Sequence, residues 1–343
     1  MNYSVEINNI PNHVWDEAVR DFRDYTIYQT WAYQSSRATN ENQELSRIII
    51  RDVNDNPSLM CIVRIKRMPL IGLRIGYVQW GPLIHHKGKE QCLREELWRL
   101  FRCSYVPKIV DILRIVPNIV NDDKGEMVSN IICMSGFEKV QHKAPYRTMI
   151  LAVDLSDDKI RSNFHRSWRR GLKKAESYGI EIKEGSDAEY FDVLEQLYTQ
   201  SVMRKKFRGL NPQIFSRSQQ SLCSGEKINV VVAYHDNDPI AAHSTSHLGD
   251  TAVGILAAAN EKGLESGASY LVWWKTLLAA RQAGMKKYDL GGIDPQRNPD
   301  VYQYKKRMGA MEQYHIGTFE TCSNVVVKNI WSMGERLYNI VKK

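Results

Sequence analysis

Nothing in the 343 residues reads as a membrane span, a secretory leader or a cysteine framework. No stretch of about 18 apolar residues occurs, so no segment is predicted to cross a bilayer. Met1 to Asn12 has neither a basic start nor an apolar stretch, so it does not read as a signal peptide. The six cysteines (Cys61, Cys92, Cys103, Cys133, Cys223 and Cys322) lie far apart without a C-x-x-C pair. That leaves a zinc site without support and makes a disulfide framework unexpected in a chain of this length. No metal is therefore expected, and a reducing cytoplasm is the expected setting. A G-x-S-x-G elbow is also missing, so a hydrolase-type serine nucleophile has no motif to sit on.

What is present argues for a folded, cationic protein. Eight Trp, 17 Tyr and 8 Phe, with 43% hydrophobic residues, supply more apolar surface than a disordered chain carries. The length allows two domains of roughly 100–200 residues. Lys plus Arg number 47 against 39 Asp plus Glu, a net charge of +8 that favours polyanionic partners such as nucleic acid, nucleotides or an anionic membrane face.

No Gly/Ser linker or low-complexity tract divides the chain, so organisation is read from pattern. Strands are predicted over Ser46–Asp52 and Leu59–Lys66, joined through Asn54-Asp55-Asn56-Pro57, and over Arg74–Gln79. A helix over Glu90–Phe101 and a strand over Ile109–Ile115 follow. The second half repeats this order: a strand at Tyr146–Leu155, then helices at Asp157–Ser177, Asp187–Lys205 and Pro212–Leu222. Strands follow at Ile228–Tyr234, Pro239–Leu248 and Thr251–Ala258, then a helix at Ser266–Ala283 and a strand at Lys287–Leu290. Meanders interleaved with helices, appearing twice, predict a duplicated α+β unit.

Four segments carry candidate chemistry. In the Asp157–Ser177 helix, Phe164, Trp168 and Leu172 share one face, and Arg166, Arg169, Arg170, Lys173 and Lys174 fall opposite. That face is either solvated or a phosphate-backbone contact, and Gly171 marks a possible break. In the next helix Arg204 continues the stripe of Tyr190, Val193, Leu194 and Leu197, so it either snorkels to solvent or meets an anion beside Tyr198, Lys205 and Arg208. His243 and His247 on one strand would stand about 13 Å apart, too far for one metal. They read as a polar sheet face, with a single histidine base as the alternative. Lastly, Tyr288-Asp289-Leu290 runs into Gly291-Gly292, a loop containing Asp294, and a helix beginning near Asn298 that carries Tyr302 and Lys305. Paired glycines after a strand allow close approach of a ligand, and the helix start offers N–H groups to an anion.

In order, these segments resemble the Fem family of peptidoglycan bridge-forming aminoacyltransferases, in its shorter, arm-less type. The similarity runs from about Gln29 to Glu320. It rests on Gln29-Thr30-Trp31-Ala32, Trp80-Gly81-Pro82, the basic stretch Arg169–Lys174, Tyr198 to Arg204, and Tyr288-Asp289-Leu290-Gly291-Gly292 followed by Val301-Tyr302-x-Tyr304-Lys305 and Gly309. The resemblance implies two tandem GNAT-like (acyltransferase) domains, α+β in class, with mixed, mostly antiparallel sheets flanked by helices. The first is expected over 1–145, completed by a C-terminal helix over 322–343, and the second over 146–321. It further implies transfer of an amino acid from aminoacyl-tRNA, as co-substrate, to an amine of a nucleotide- or lipid-linked envelope precursor, with no resident cofactor. Lys305, Asp289 and Tyr302 are the implied catalytic residues. Arg204, Tyr198, Arg37, Gly291, Gly292 and Asp294 are the implied substrate contacts, and Arg166, Arg169, Arg170, Lys173 and Lys174 the tRNA contacts. Ser35 stands where arm-less members place a diphosphate-gripping lysine, and Gly254-Ile255-Leu256 replaces an expected aromatic residue.

Two other readings compete. A CoA-dependent N-acyltransferase of the same fold, acting on an envelope polysaccharide or lipid with acetyl-CoA, would usually carry a Q/R-x-x-G-x-G/A loop, which neither half contains. A catalytically silent RNA- or membrane-binding protein would have no use for Lys305 within its motif. Val325 to Lys343, with Ile330, Trp331, Leu337, Ile340 and Val341, is amphipathic. It either docks across the domains or lies on a membrane surface, which would place the enzyme at the inner face of the plasma membrane.

Overall fold

The computed structural model describes residues 3–69, 71–86, 93–205 and 209–341, without the side chains of 205 and 337–341. The expected helix start at Glu90, the residues Arg208, Lys342 and Lys343, and the side chains of Lys205, Leu337, Ile340 and Val341 lie outside the described residues. No helix among the described residues is long and apolar enough to cross a membrane.

The first half runs β1 (Ser4–Ile7), α1 (Asn12–Val19), α2 (Trp31–Glu41), β2 (Glu44–Arg51), β3 (Pro57–Arg67), β4 (Arg74–Gln79), α3 (Glu95–Tyr105), β5 (Ile112–Val116), α4 (Asp123–Met134) and β6 (Glu138–Lys139). Then come β7 (Arg147–Ala152), α5 (Asp157–Asn163), α6 (Arg166–Glu176), β8 (Glu181–Gly185), α7 (Ala188–Lys205), α8 (Pro212–Ser221), β9 (Asn229–His235) and β10 (Asp238–Leu248). The chain continues through β11 (Thr251–Ala259), α9 (Glu261–Ser266), α10 (Ala268–Gln282), β12 (Lys287–Gly292), α11 (Pro299–Lys306), β13 (Met311–Tyr314), β14 (Phe319–Cys322) and α12 (Val325–Val341).

Two compact units result: Met1–Asp24 with Arg37–Tyr146 and Tyr314–Lys343, and Tyr25–Ser36 with Arg147–Gln313. Two segments therefore differ from the expected division. Tyr25–Ser36 joins the second unit, because Ile27, Ala32 and Tyr33 bury against Phe191, Leu194 and Phe215 and Tyr25 donates to Glu226 Oε1 at 2.5 Å. Residues 314–321 join the first, because β14 pairs on one side with β5 and on the other with β6. Both are long-range contacts that no local pattern announces.

The units repeat one topology. The first sheet has the order β1-β2-β3-β4-β5-β14-β6, and the second, read from its opposite edge, β8-β9-β10-β11-β12-β7-β13. In each, four antiparallel strands meet a fifth in parallel, β4 with β5 and β11 with β12. Parallel neighbours need a crossover, supplied by α3 in one unit and by α9 and α10 in the other. The duplication inferred from element order is thus a duplication of sheet order.

Local chemistry explains the elements that frame the second unit. Val230 and Val232 on β9 bury in the cluster with α7 and α8, while Val231 and Ala233 bury in the cluster with α6 and α10. An unbroken apolar run fits a strand covered on both faces. Its hairpin closes through Asp236 (φ 55°) and Asn237 (φ 66°), left-handed residues suited to a two-residue turn. The predicted helix over Asp157–Ser177 is two helices. The chain bends at Phe164 and His165, where the His165 N–H donates to Arg307 O and its Nδ1 accepts from Ser167 N. Gly171 is not the break. A Cβ there would stand 2.7 Å from the Tyr270 ring, so this glycine lets α10 pack against α6. The helix predicted over Ser266–Ala283 forms as α10 and begins two residues later, after Gly267 (φ 81°) separates it from α9.

One device recurs in both units. Asp122 caps α4 by accepting from Gly125 N, and Asn260 caps α9 by accepting from Gly263 N. A Cβ on Gly125 would lie 1.9 Å from Val120 O, and one on Gly263 2.0 Å from Ile240 O. These obstacles are backbone, so they cannot swing aside. Gly263→Ala is expected to destabilise the protein by about 1–3 kcal/mol, read from the urea midpoint; an unchanged midpoint would show that α9 slides freely over β10.

Candidate active site

The site forms where the second sheet opens. β11 and β12 pair in parallel only over Thr251–Lys287, Ala252–Tyr288 and Val253–Asp289, although β11 runs on to Ala259 and β12 to Gly292. On its other side β12 shifts register against β7 between Asp289 and Gly292. The strand end therefore parts from β11 while bulging against β7 and rejoining it at Gly292–Thr148, and Gly291 in the bulge takes φ 82°, a conformation that favours glycine.

Asp289, 3% exposed, sits at this departure. Its Oδ1 accepts from the Thr148 hydroxyl and, at 2.8 Å, from Gly291 N, so the carboxylate holds the glycine turn in shape. Lys305 comes from the last turn of α11, a helix capped by Asn298 Oδ1 and begun by Pro299. Its ammonium returns to the strand end and donates to Gly291 O and Gly292 O, both at 3.0 Å. Burial pulls the Lys305 pKa down to about 8, with Asp289 acting in the opposite sense. Burial raises the Asp289 carboxyl above its ordinary value, while Thr148, Gly291 N and Lys305 draw it back.

A second layer lies behind. The His243 ring lies against Trp273 with centroids 3.9 Å apart and planes tilted by 31°, and its Nδ1 meets Thr276 Oγ1 at 3.1 Å. Tyr288 and Thr245 share a hydroxyl hydrogen bond of 2.7 Å. A side chain at Gly254 would meet His243 Nε2 at 3.2 Å, so the glycine keeps room above the imidazole. Burial first, and the Lys305 charge second, lower the His243 pKa to about 3, which keeps the ring neutral. His243 is therefore a poor proton acceptor. The β10 register shifts between His243 and Thr245, which breaks the simple alternation expected of this strand.

The structure gathers Asp289, Gly291, Gly292 and Lys305 into one cluster and places the other expected residues elsewhere. Tyr302 turns to Glu312, donating at 3.3 Å, with its ring 5.8 Å from the Arg147 guanidinium. Asp294 is exposed and folds its own loop, accepting from Gln296 N and Arg297 N at 3.1 and 3.0 Å. Tyr198 is buried and accepts from Leu210 N at 3.0 Å, fastening the chain beyond α7. Arg204 is exposed and donates to Ala259 O at the end of β11 (2.8 Å). Arg37 belongs to the first unit, paired with Glu41 at 2.8 Å and donating to Gln79 Oε1, an oxygen shared with Arg64. On α6, Trp168 and Leu172 are buried while Arg166, Arg169, Arg170, Lys173 and Lys174 are all exposed, as the helical spacing predicts. Thr148 was not legible from sequence, since a lone threonine 141 residues from its partner gives no signal.

Chemically, the cluster presents a buried cation and a turn of glycine backbone at a strand end. A cation in a low-dielectric site stabilises an oxyanion far better than one in water.

Residues 159–306 match the acetyltransferase (GNAT) domain family. No curated protein matches the sequence. Among solved structures the chain is similar to FemX, with 15% identity, coverage of 98% of this chain and 100% of that one, and a TM-score of 0.81. It is also similar to the C-terminal domain of a putative lysylphosphatidylglycerol synthetase from Agrobacterium fabrum, at 10% identity, coverage of 93% and 95%, and a TM-score of 0.55. L-PGS from Bacillus licheniformis aligns at 9% identity, coverage of 85% and 87%, and a TM-score of 0.52. The chain thus shares the fold of FemX, two GNAT-like units in tandem, and its residues 159–306 match the acetyltransferase (GNAT) domain.

Proposed function

We propose that this acyltransferase moves an amino acid from aminoacyl-tRNA to an amine of a nucleotide- or lipid-linked cell-envelope precursor, working on the cytoplasmic side. The observation that carries the reading is the buried Lys305 held at the parted end of β12, within the fold shared with FemX. The neutral acceptor amine attacks the ester carbonyl, and the C–N bond forms as the carbonyl oxygen takes up negative charge beside the Lys305 ammonium. Collapse breaks the bond to the ribose oxygen, which leaves with a proton while the amine nitrogen loses one. The acceptor ammonium sheds its first proton to solvent or substrate, since His243 is held neutral with a pKa of about 3. Exposed cations on α6 supply phosphate contacts for the tRNA, and Arg204, Tyr198 and Arg37 are assigned to the precursor.

The GNAT match favours acetyl-CoA as an alternative donor, although the sequence lacks the usual pyrophosphate loop. One experiment separates the two. Purified protein is incubated with envelope precursors and either tRNA charged with radiolabelled amino acids or labelled acetyl-CoA. Label is expected to pass from tRNA into a ribonuclease-resistant product. Transfer from acetyl-CoA alone would overturn the tRNA reading.

A further inference from the structure

Helix α12 is amphipathic in an inverted sense. It grips the first unit with its polar side: Arg114 donates twice to the Glu335 carboxylate at 2.7 Å each, and Trp331 Nε1 donates to Glu320 Oε2 at 2.9 Å. Lys328 holds both oxygens of Glu138, at 2.7 and 2.6 Å. At about 100° per residue, Lys328, Trp331 and Glu335 share one side of the helix. Val326, Ile330 and Met333 share the opposite side and are 66%, 42% and 64% exposed. The same spacing continues in sequence through Leu337, Ile340 and Val341. A surface helix normally buries its apolar stripe against its own domain. Here the polar anchors occupy that side, and the apolar stripe faces out, which marks a surface made for something else.

Charge selects the occupant. The helix contains one carboxylate, Glu335, and Arg114 turns it inward, with His142 and Lys143 also facing it at 3.3 and 3.5 Å. Arg336 is exposed on the flank of the stripe, and Lys342 and Lys343 follow in sequence. A second copy of this chain, also at +8, would bring the same cations to the same edge. An anionic lipid surface satisfies both the apolar stripe and the cationic flank. We propose that α12 docks on an anionic bilayer, laying Val326, Ile330 and Met333 among the acyl chains at the headgroup boundary while Arg336 meets the headgroups.

The test is flotation of the full chain with vesicles of mixed phosphatidylglycerol and phosphatidylcholine, or of phosphatidylcholine alone. The protein is expected to float with the anionic vesicles, less so at high salt, and Ile330→Glu/Met333→Glu should lower that binding roughly tenfold or more. Both side chains point to solvent, so the melting temperature should not move, which keeps loss of binding distinct from loss of fold. Failure to float with anionic vesicles, or equal flotation of the double variant, overturns the proposal. So does a dimer in sedimentation that the double variant dissociates, since the stripe would then belong to a second copy.

Discussion

Lys305→Met is expected to lower the rate of transfer by about a hundredfold or more while leaving the melting temperature unchanged or higher. The two halves of that result have one cause. The folded protein holds the Lys305 pKa near 8, below its ordinary 10.5. Between those values the unfolded chain binds the proton that the folded chain has lost. Stability therefore rises with pH across that window, and below about pH 8 the fold carries the full penalty of a buried ammonium. Methionine fills similar space without charge and relieves that penalty, offsetting the donors lost to Gly291 O and Gly292 O. If the ammonium is what faces the oxyanion, transfer should also fall as pH rises through about 8. Lys305→Arg should lose that alkaline limb, because a guanidinium stays charged. Calorimetric melting and the pH dependence of kcat check both halves. Parallel losses of activity and melting temperature in Lys305→Met would make the lysine a structural strut.

Strand identity was legible wherever the signal is local. The run Val230 to Ala233 and the turn at Asp236-Asn237 announce a two-sided strand and its hairpin, and β9 and β10 form there. The proximity of four candidate residues was legible for the same reason: Asp289, Gly291, Gly292 and Lys305 fall within a short strand, loop and helix that fold back on themselves. What escaped depends on distant contacts. Phe164 and His165 look like ordinary helix residues, and the bend exists because Arg307 O captures the His165 N–H. Thr148 reaches Asp289 only through the pairing of β7 with β12. The segment Tyr25–Ser36 reads as part of the first domain until Tyr33 is seen against Phe215, ring centroids 5.4 Å apart. Tyr302 sits one turn from Lys305 in sequence, yet Glu312 and Arg147 draw its side chain to their own pair.

Replacing Arg166 and Arg170 together by alanine is expected to flatten the salt dependence of tRNA binding, lowering the slope of log K against log salt by roughly 1.5. The two side chains stand four residues apart on α6, exposed, and among the described residues neither enters an ion pair. Arg169 is a less clean choice, because it donates to Ser162 O at 2.9 Å and helps close α5. Three like-charged pairs at this spacing, Arg166 with Arg170, Arg169 with Lys173 and Arg170 with Lys174, line one 11-residue helix. Each destabilises an isolated helix by a few tenths of a kcal/mol. The double variant should therefore melt at the same temperature or slightly higher, while its binding loses the release of about two counterions. If tRNA phosphates lie across this face, they relieve its self-repulsion on binding. Binding measured between low and physiological salt decides the matter. A slope equal to that of the unaltered protein would leave α6 as a solvated face and move the tRNA contact to other cations of the chain.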